Sequence, residues 1–366
     1  MSSGRVTFAE LGIKLTALNF EEITVTEERA LDFAVLLRES SSVQILLNLP
    51  SGKVNKRKAV KVGRDPSAMI VADIDLRGGP HIVVASNGAN TVEYLSNNGQ
   101  GGLRREGPVS VGASPTALAA GNLDGKAGPE VVVSSAAQST VQVLNSVDLE
   151  LIAGPIYPVG TAPSDVAIAD IDGINGLDVL TVSPSTSTLT LLLNDGKGNL
   201  QPQPAIATVS GATAIATGEL DGRPGRDVAV VGTSGNLQVL VNDGAGNLTG
   251  LPLIPTGAAP ADVSIAEMDG VNGRDVIVRR EGAIQVFLNN GSGALAPVPA
   301  VAAAGTSGLA VASLDEKPGA DALSASPTLS LLQVFSNDGS GGMIEDRSIS
   351  VTGSPTQFGF GNFDGG

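Results

Sequence analysis

One acidic landmark recurs along the whole chain, and its spacing limits what the chain can fold into. Asp75, Asp124, Asp172, Asp221, Asp269, Asp315 and Asp364 follow one another at intervals of 49, 48, 49, 48, 46 and 49 residues. Gly79, Gly128, Gly176, Gly225, Gly273 and Gly319 each stand four residues after one of them. A glycine kept at a fixed offset marks backbone that needs φ > 0 or a close approach. A second landmark keeps the same beat: Asn48, Asn97, Asn145, Asn194, Asn242, Asn289 and Asn337 each close an apolar run such as TLTLLLN or NLQVLVN. Most are followed by Asp/Asn-Gly-x-Gly, as in NDGKGN at 194–199, a hairpin turn built from residues that tolerate positive φ. A chain of 366 residues could be two ordinary domains, but two landmarks with one period make it a repeat protein.

The best-kept copy, AIADIDGINGLDVLTV at 167–182, reads as strand, tight acidic loop, strand. With the run ending in Asn194 and a polar outer segment, each unit holds four short strands and no segment of helical period. The link VG-x-x-P at 62–66, 111–115 and 159–163 marks unit boundaries, because Pro cannot donate to a sheet ladder. Four antiparallel strands in about 48 residues is the pattern of a propeller blade. The expected fold is therefore all-β: a seven-bladed β-propeller of four-stranded antiparallel blades over residues 29–366, with residues 1–28 as an extension of one strand plus an acidic connector. The chain stops two residues after Asp364, midway through its loop, and reading on into Arg29–Asp32 restores the loop length. The C-terminal strand, 356–363, is thus expected to join strands from residues 30–62 in one shared blade; a rival closure would use 15–20 instead.

Hydrophobic residues make up 42% of the chain but aromatics only 3%, so the core must be built from Val, Ala, Leu and Ile. There is no Cys, which excludes disulfides, thiolate nucleophiles and Cys-ligated metals, and the single His81 excludes multi-His zinc sites. A net charge of −15 argues against nucleic acid as a partner. No run approaches the ~20 apolar residues of a membrane-spanning helix, and MSSGRVTFAELG lacks the pattern of a signal peptide.

DIDGINGLD between apolar strands, with LLNDGKGNL following, resembles the FG-GAP and VCBS repeats of bacterial surface proteins and of the integrin α-subunit propeller. That resemblance implies the wheel-like fold, a place outside the cell or in the periplasm, and Ca²⁺ held by D-x-D-x-D-G-x-x-D loops. Ca²⁺ takes six to eight oxygens. Here the fifth position of the loop is Arg77, Lys126, Ile174, Arg223, Val271 or Lys317, where the family places a ligand. Four cations in six copies imply that most loops work without metal. The least altered candidates for a weak Ca²⁺ site are Asp170, Asp172 and Asp178, and Glu267, Asp269 and Asp275.

No Ser or Thr has a recognisable partner His, and there is no P-loop. The carboxylates recur with the repeat, as structural residues do. The sequence reading is accordingly a non-enzymatic scaffold that binds another protein or a larger assembly, without a cofactor; a lectin-like or Ca²⁺-binding surface propeller is the alternative. The candidate docking surface is Lys53, Lys56, Arg57, Lys58, Lys61 and Arg64, six cations around one outer strand of an acidic molecule.

Overall fold

The computed structural model describes residues 31–49, 53–74, 79–147, 150–304, 307–314 and 317–364. The expected N-terminal extension, the rival closing strand and Asp75, Arg77 and Asp315 lie outside the described residues. Among the described residues there is no helix, and the strands form seven antiparallel sheets. Each sheet is one blade of a seven-bladed β-propeller. The innermost strands are Pro355–Gly361 in blade 1, Pro66–Ala72 in blade 2, Pro115–Gly121 in blade 3 and Asp165–Ala169 in blade 4. They continue as Ala212–Gly218, Pro260–Ala266 and Ser307–Ala312 in blades 5, 6 and 7. Each touches the next, and the seventh touches the first, so they form a closed ring around the axis.

Blade 1 is shared between the two ends of the chain. Pro355–Gly361 pairs with Asp32–Leu37, with Asp32 opposite Gly361 and Phe33 opposite Phe360. The counted loop length is therefore realised in space, and Asp32 takes the place that Asp178 takes in blade 4. Its Oδ1 accepts the Asn48 N–H and its Oδ2 the Phe363 N–H, at 2.8 and 2.9 Å. The Phe363 carbonyl in turn accepts from Asn97 Nδ2 and from the Gly101 N–H of blade 2. Three hydrogen bonds thus tie the C-terminal end into two blades.

A blade is buried on both faces, so its second strand is apolar without alternation: DVLTVS, DVAVVG and EVVVSS are buried at every position. The hydrophobic core is divided accordingly into seven clusters, one per seam between neighbouring blades. The seam between blades 7 and 1 holds Phe33, Phe358 and Phe360, with the rings of Phe33 and Phe360 5.7 Å apart. In a chain with eight Phe this concentrates aromatic burial where the ring closes.

The outer strand is broken in five blades and continuous in two. In blade 4 it runs as Leu200–Pro202 and then Ile206–Ala207, with Pro202 and Pro204 interrupting the ladder. In blades 3 and 7 it is unbroken, Glu150–Pro158 and Met343–Ser350. Where the strand breaks, the third-strand glutamines Gln44, Gln238 and Gln285 donate to the freed carbonyls of Arg57, Leu251 and Val298.

The fixed glycines behave as their spacing requires. Gly128, Gly176, Gly225, Gly273 and Gly319 have φ between 89° and 115°, where a side chain is strained. The link glycine has another role: a Cβ on Gly160 would lie within 2.4 Å of Ser183 Oγ, so only glycine lets the incoming chain pass the end of that strand.

Candidate functional site

The acidic loops lie between the first and second strands. Their ninth residue is the pin of the loop. Asp178 is fully buried; its Oδ2 accepts the Ile171 and Asp172 N–H groups and its Oδ1 accepts that of Asn194. Asp227, Asp275 and Asp321 repeat the bond to the third-strand Asn, to Asn242, Asn289 and Asn337. His81 does the same work in blade 2, its Nδ1 accepting the Asn97 N–H at 3.0 Å. The imidazole thus substitutes for a carboxylate as a hydrogen-bond acceptor, which explains how a lone His survives at an acidic position. Burial pushes the carboxyls of Asp178 and Asp275 up to about 6, against the pull of the N–H groups they accept.

The asparagine landmark joins the blades. Asn194 Nδ2 donates to the Leu123 carbonyl of blade 3, Asn242 to Ile171 of blade 4, Asn289 to Leu220 of blade 5 and Asn337 to Met268 of blade 6, each within 2.8 Å. Each is a bolt across a seam, and the sequence signal for it was the period itself.

Three loops bring acids together as candidate metal groups: Asp170, Asp172 and Asp178; Glu267, Asp269 and Asp275; and Glu219, Asp221 and Asp227, which the sequence reading passed over because of Arg223. One ligand oxygen from each residue lies within 4.8 Å of the others in its group. Arg223 pairs only loosely with its cluster: it is 75% exposed and 3.8 Å from Asp221. In blade 3, by contrast, Lys126 Nζ is 2.6 Å from Asp124, a cation pairing with a loop acid as expected. Asp170 and Asp172 each commit an oxygen to a loop N–H, of Gly173 and Ile174, and Asp178 commits both. Ile174 and Val271 at the fifth position are exposed and carry no side-chain oxygen. The side chains alone fall short of a six- to eight-oxygen shell.

The basic strip lies on the outer edge of blade 1. Lys53, Lys56, Lys58, Lys61 and Arg64 are exposed, and Arg57 is half-buried. Half of these cations are spent on local carbonyls: Arg57 on Gln100, Lys61 on Ser40 and Arg64 on Gly88. Two of those three carbonyls belong to blade 2, so the strip partly serves the seam between blades 1 and 2.

A further set of groups lies where the innermost strands begin, at the rim of the axis. Ser67, Thr116, Ser164 and Thr213 each donate a hydroxyl hydrogen bond to a carbonyl of the next blade. One residue further along, Asp165 accepts the Ile215 N–H of blade 5, Asp262 the Leu309 N–H of blade 7, and Gln357 the Met69 N–H of blade 2. Sequence reasoning did not single these out, because each lies within an apolar strand. In blade 6 the residue opposite Asp262 in the sheet register is Arg279, buried to 5% exposure. Directly opposite residues project from the same face of a sheet.

No family model matches the chain, and no curated protein matches it in sequence. Solved structures do match in shape. A functionally unknown protein from Desulfotomaculum acetoxidans aligns with a TM-score of 0.71 at 13% identity, over 90% of this chain and 98% of its own. A Bacteroides uniformis protein provisionally named 6-phosphogluconolactonase aligns at 0.69 and 16% identity, over 91% and 100%. The periplasmic gluconolactonase of Pseudomonas aeruginosa aligns at 0.67 and 19% identity, over 90% and 98%. At these identities the likeness shows the fold alone. It nevertheless corrects the expectation of a non-enzymatic scaffold, since this complete ring is one that proteins with lactonase names adopt. The physical reason for the misreading is that polar residues set singly within apolar strands form no local sequence motif.

Proposed function

We propose that the chain is a hydrolase of sugar lactones. The supporting observation is the whole-chain likeness in shape to proteins with lactonase names, at nine-tenths coverage or more of both partners. Ring-opening hydrolysis needs a water activated at the lactone carbonyl and donors for the oxygen that becomes negative. It needs neither the Cys nor the multi-His metal site that the composition excludes. The rim of the axis in blade 6 carries a carboxylate, Asp262, and a guanidinium, Arg279, an acceptor and a donor of the kind a polyhydroxylated ring requires.

The test is release of acid from D-glucono-1,5-lactone and from its 6-phosphate, followed by pH-stat against the spontaneous rate. Catalysed release that is lost on heat denaturation supports the proposal. A rate equal to the spontaneous one with both lactones, or sugar binding without turnover, contradicts it.

A further inference from the structure

We infer that the reacting groups lie at the rim of the seam between blades 6 and 7, with Asp262 as general base and Arg279 as the group that stabilises the oxyanion. This rests on the lactonase reading above and names the site for it. The first observation is a break in the repeat. The fifth residue of the second strand is Leu36, Ala85, Ser134, Val182, Val231 and Ala325 in the other blades, small or apolar, and in blade 6 it is Arg279. A guanidinium at 5% exposure in an apolar seam is costly unless partnered groups or a ligand use it.

The second observation is the register. Arg279 stands opposite Asp262, and Asp262 Oδ2 reaches the Leu309 N–H of blade 7 at 3.1 Å, so this face of blade 6 is the one turned to blade 7. Asp262 Oδ1 accepts the Val263 N–H at 3.1 Å. Asp262 itself is half-buried.

The third observation is the exposure of the rim at this seam. The hydroxyl found at the preceding position of blades 2 to 5 is replaced by Ala261, which is exposed. Across the seam, Gly308 and Leu309 are half-exposed.

The step balances with water as co-reactant. Water oxygen bonds to the lactone carbonyl carbon while Asp262 takes its proton. The carbonyl π pair moves onto oxygen, where Arg279 holds the charge. Collapse breaks the ring C–O bond, and the proton passes from Asp262 to the leaving alkoxide, giving the open hydroxy acid.

Kinetics on D-glucono-1,5-lactone test this with Asp262→Asn, Asp262→Glu, Arg279→Met and Arg279→Lys, each checked for folding by its melting curve. The expected result is a fall in kcat of about 10²–10³-fold for Asp262→Asn, with KM little changed and the acidic limb of the pH–rate profile lost. Arg279→Met should lower kcat by about 10²-fold, with partial rescue by Lys. Folded variants that keep kcat within about threefold of the wild type overturn this assignment alone. A wild type that does not hydrolyse the lactone overturns the lactonase reading and this site with it.

Discussion

Asp165 and Asp262 hold the same place in blades 4 and 6, and they make the same hydrogen bonds. Each gives one oxygen to the N–H of the following residue and the other to an N–H of the next blade. Their surroundings differ. Asp165 is buried and faces Val182 across the sheet; Asp262 is half-buried and faces Arg279. The hydroxyl of Ser164, before Asp165, bonds into the next blade, whereas Ala261, before Asp262, is exposed and has none to give. The lesson is that the blade-to-blade hydrogen bond at this place belongs to the fold. What distinguishes one seam from the other is a buried cation and a more exposed rim.

The comparison is sharpened most by exchanging roles between activity and stability. Asp165→Asn should leave lactone turnover within about threefold of the wild type, while Asp262→Asn costs two to three orders of magnitude. Equal loss in both would mean that the two carboxylates act only through ring geometry.

The seams can next be compared at their bolts. Asn242 crosses from blade 5 to blade 4, and Asn337 from blade 7 to blade 6, each donating to two carbonyls. Replacing either with Ala leaves those carbonyls unpaired, at a cost of about 1–3 kcal/mol in denaturant unfolding. Similar values for the two would confine the difference between the seams to the rim. A much smaller cost at Asn337 would mean that the seam between blades 6 and 7 is loose throughout.

A smaller effect concerns the loop pins of the same two blades. Asp178 and Asp275 both have carboxyls raised to about 6 by burial, above the 3.8 of an unfolded chain. The folded state therefore holds protons more tightly. The stability this contributes is complete below about pH 4 and is lost as pH rises through about 6. Melting temperatures at low salt should fall from pH 4 to pH 7, by a margin on the order of 2 kcal/mol in unfolding free energy for each of the two carboxyls. A rise across that window would show that the pins are ionised in the fold.

The smallest effect expected is that of a chelator. Blade 2 closes its loop with the His81 imidazole and the other blades with hydrogen-bonded carboxylates, so stripping divalent cations should leave the melting curve in place. A rise of several degrees on adding Ca²⁺ would assign the clusters in blades 4, 5 and 6 to the metal.

Most of the wheel was legible in the chain because a repeat states its own period. Asp364 and Asp32 closed one loop by counting, and the structure pairs their strands. Five of the six glycines spaced after the acids, Gly128, Gly176, Gly225, Gly273 and Gly319, have the positive φ that the spacing announced. The asparagines were visible as a landmark, but their function across the seam was not, since the carbonyl each one reaches lies about seventy residues back in the chain. Arg279 was hidden differently: DVIVRR reads as one more apolar strand until it is aligned with DVLTVS and DVAVVG. The acid clusters drew attention because they recur. The rim pair was overlooked because it does not, and departures from a repeat are where a structural requirement has been relaxed for something else.

The most direct test of the account is a crystal structure of the protein soaked with D-gluconate, the open product of the proposed reaction. The account predicts the sugar acid at the rim between blades 6 and 7, within hydrogen-bond distance of Asp262 and Arg279, and nothing at the matching rim beside Asp165. Gluconate bound at another seam, or at the acidic loops on the far ends of these strands, would contradict it.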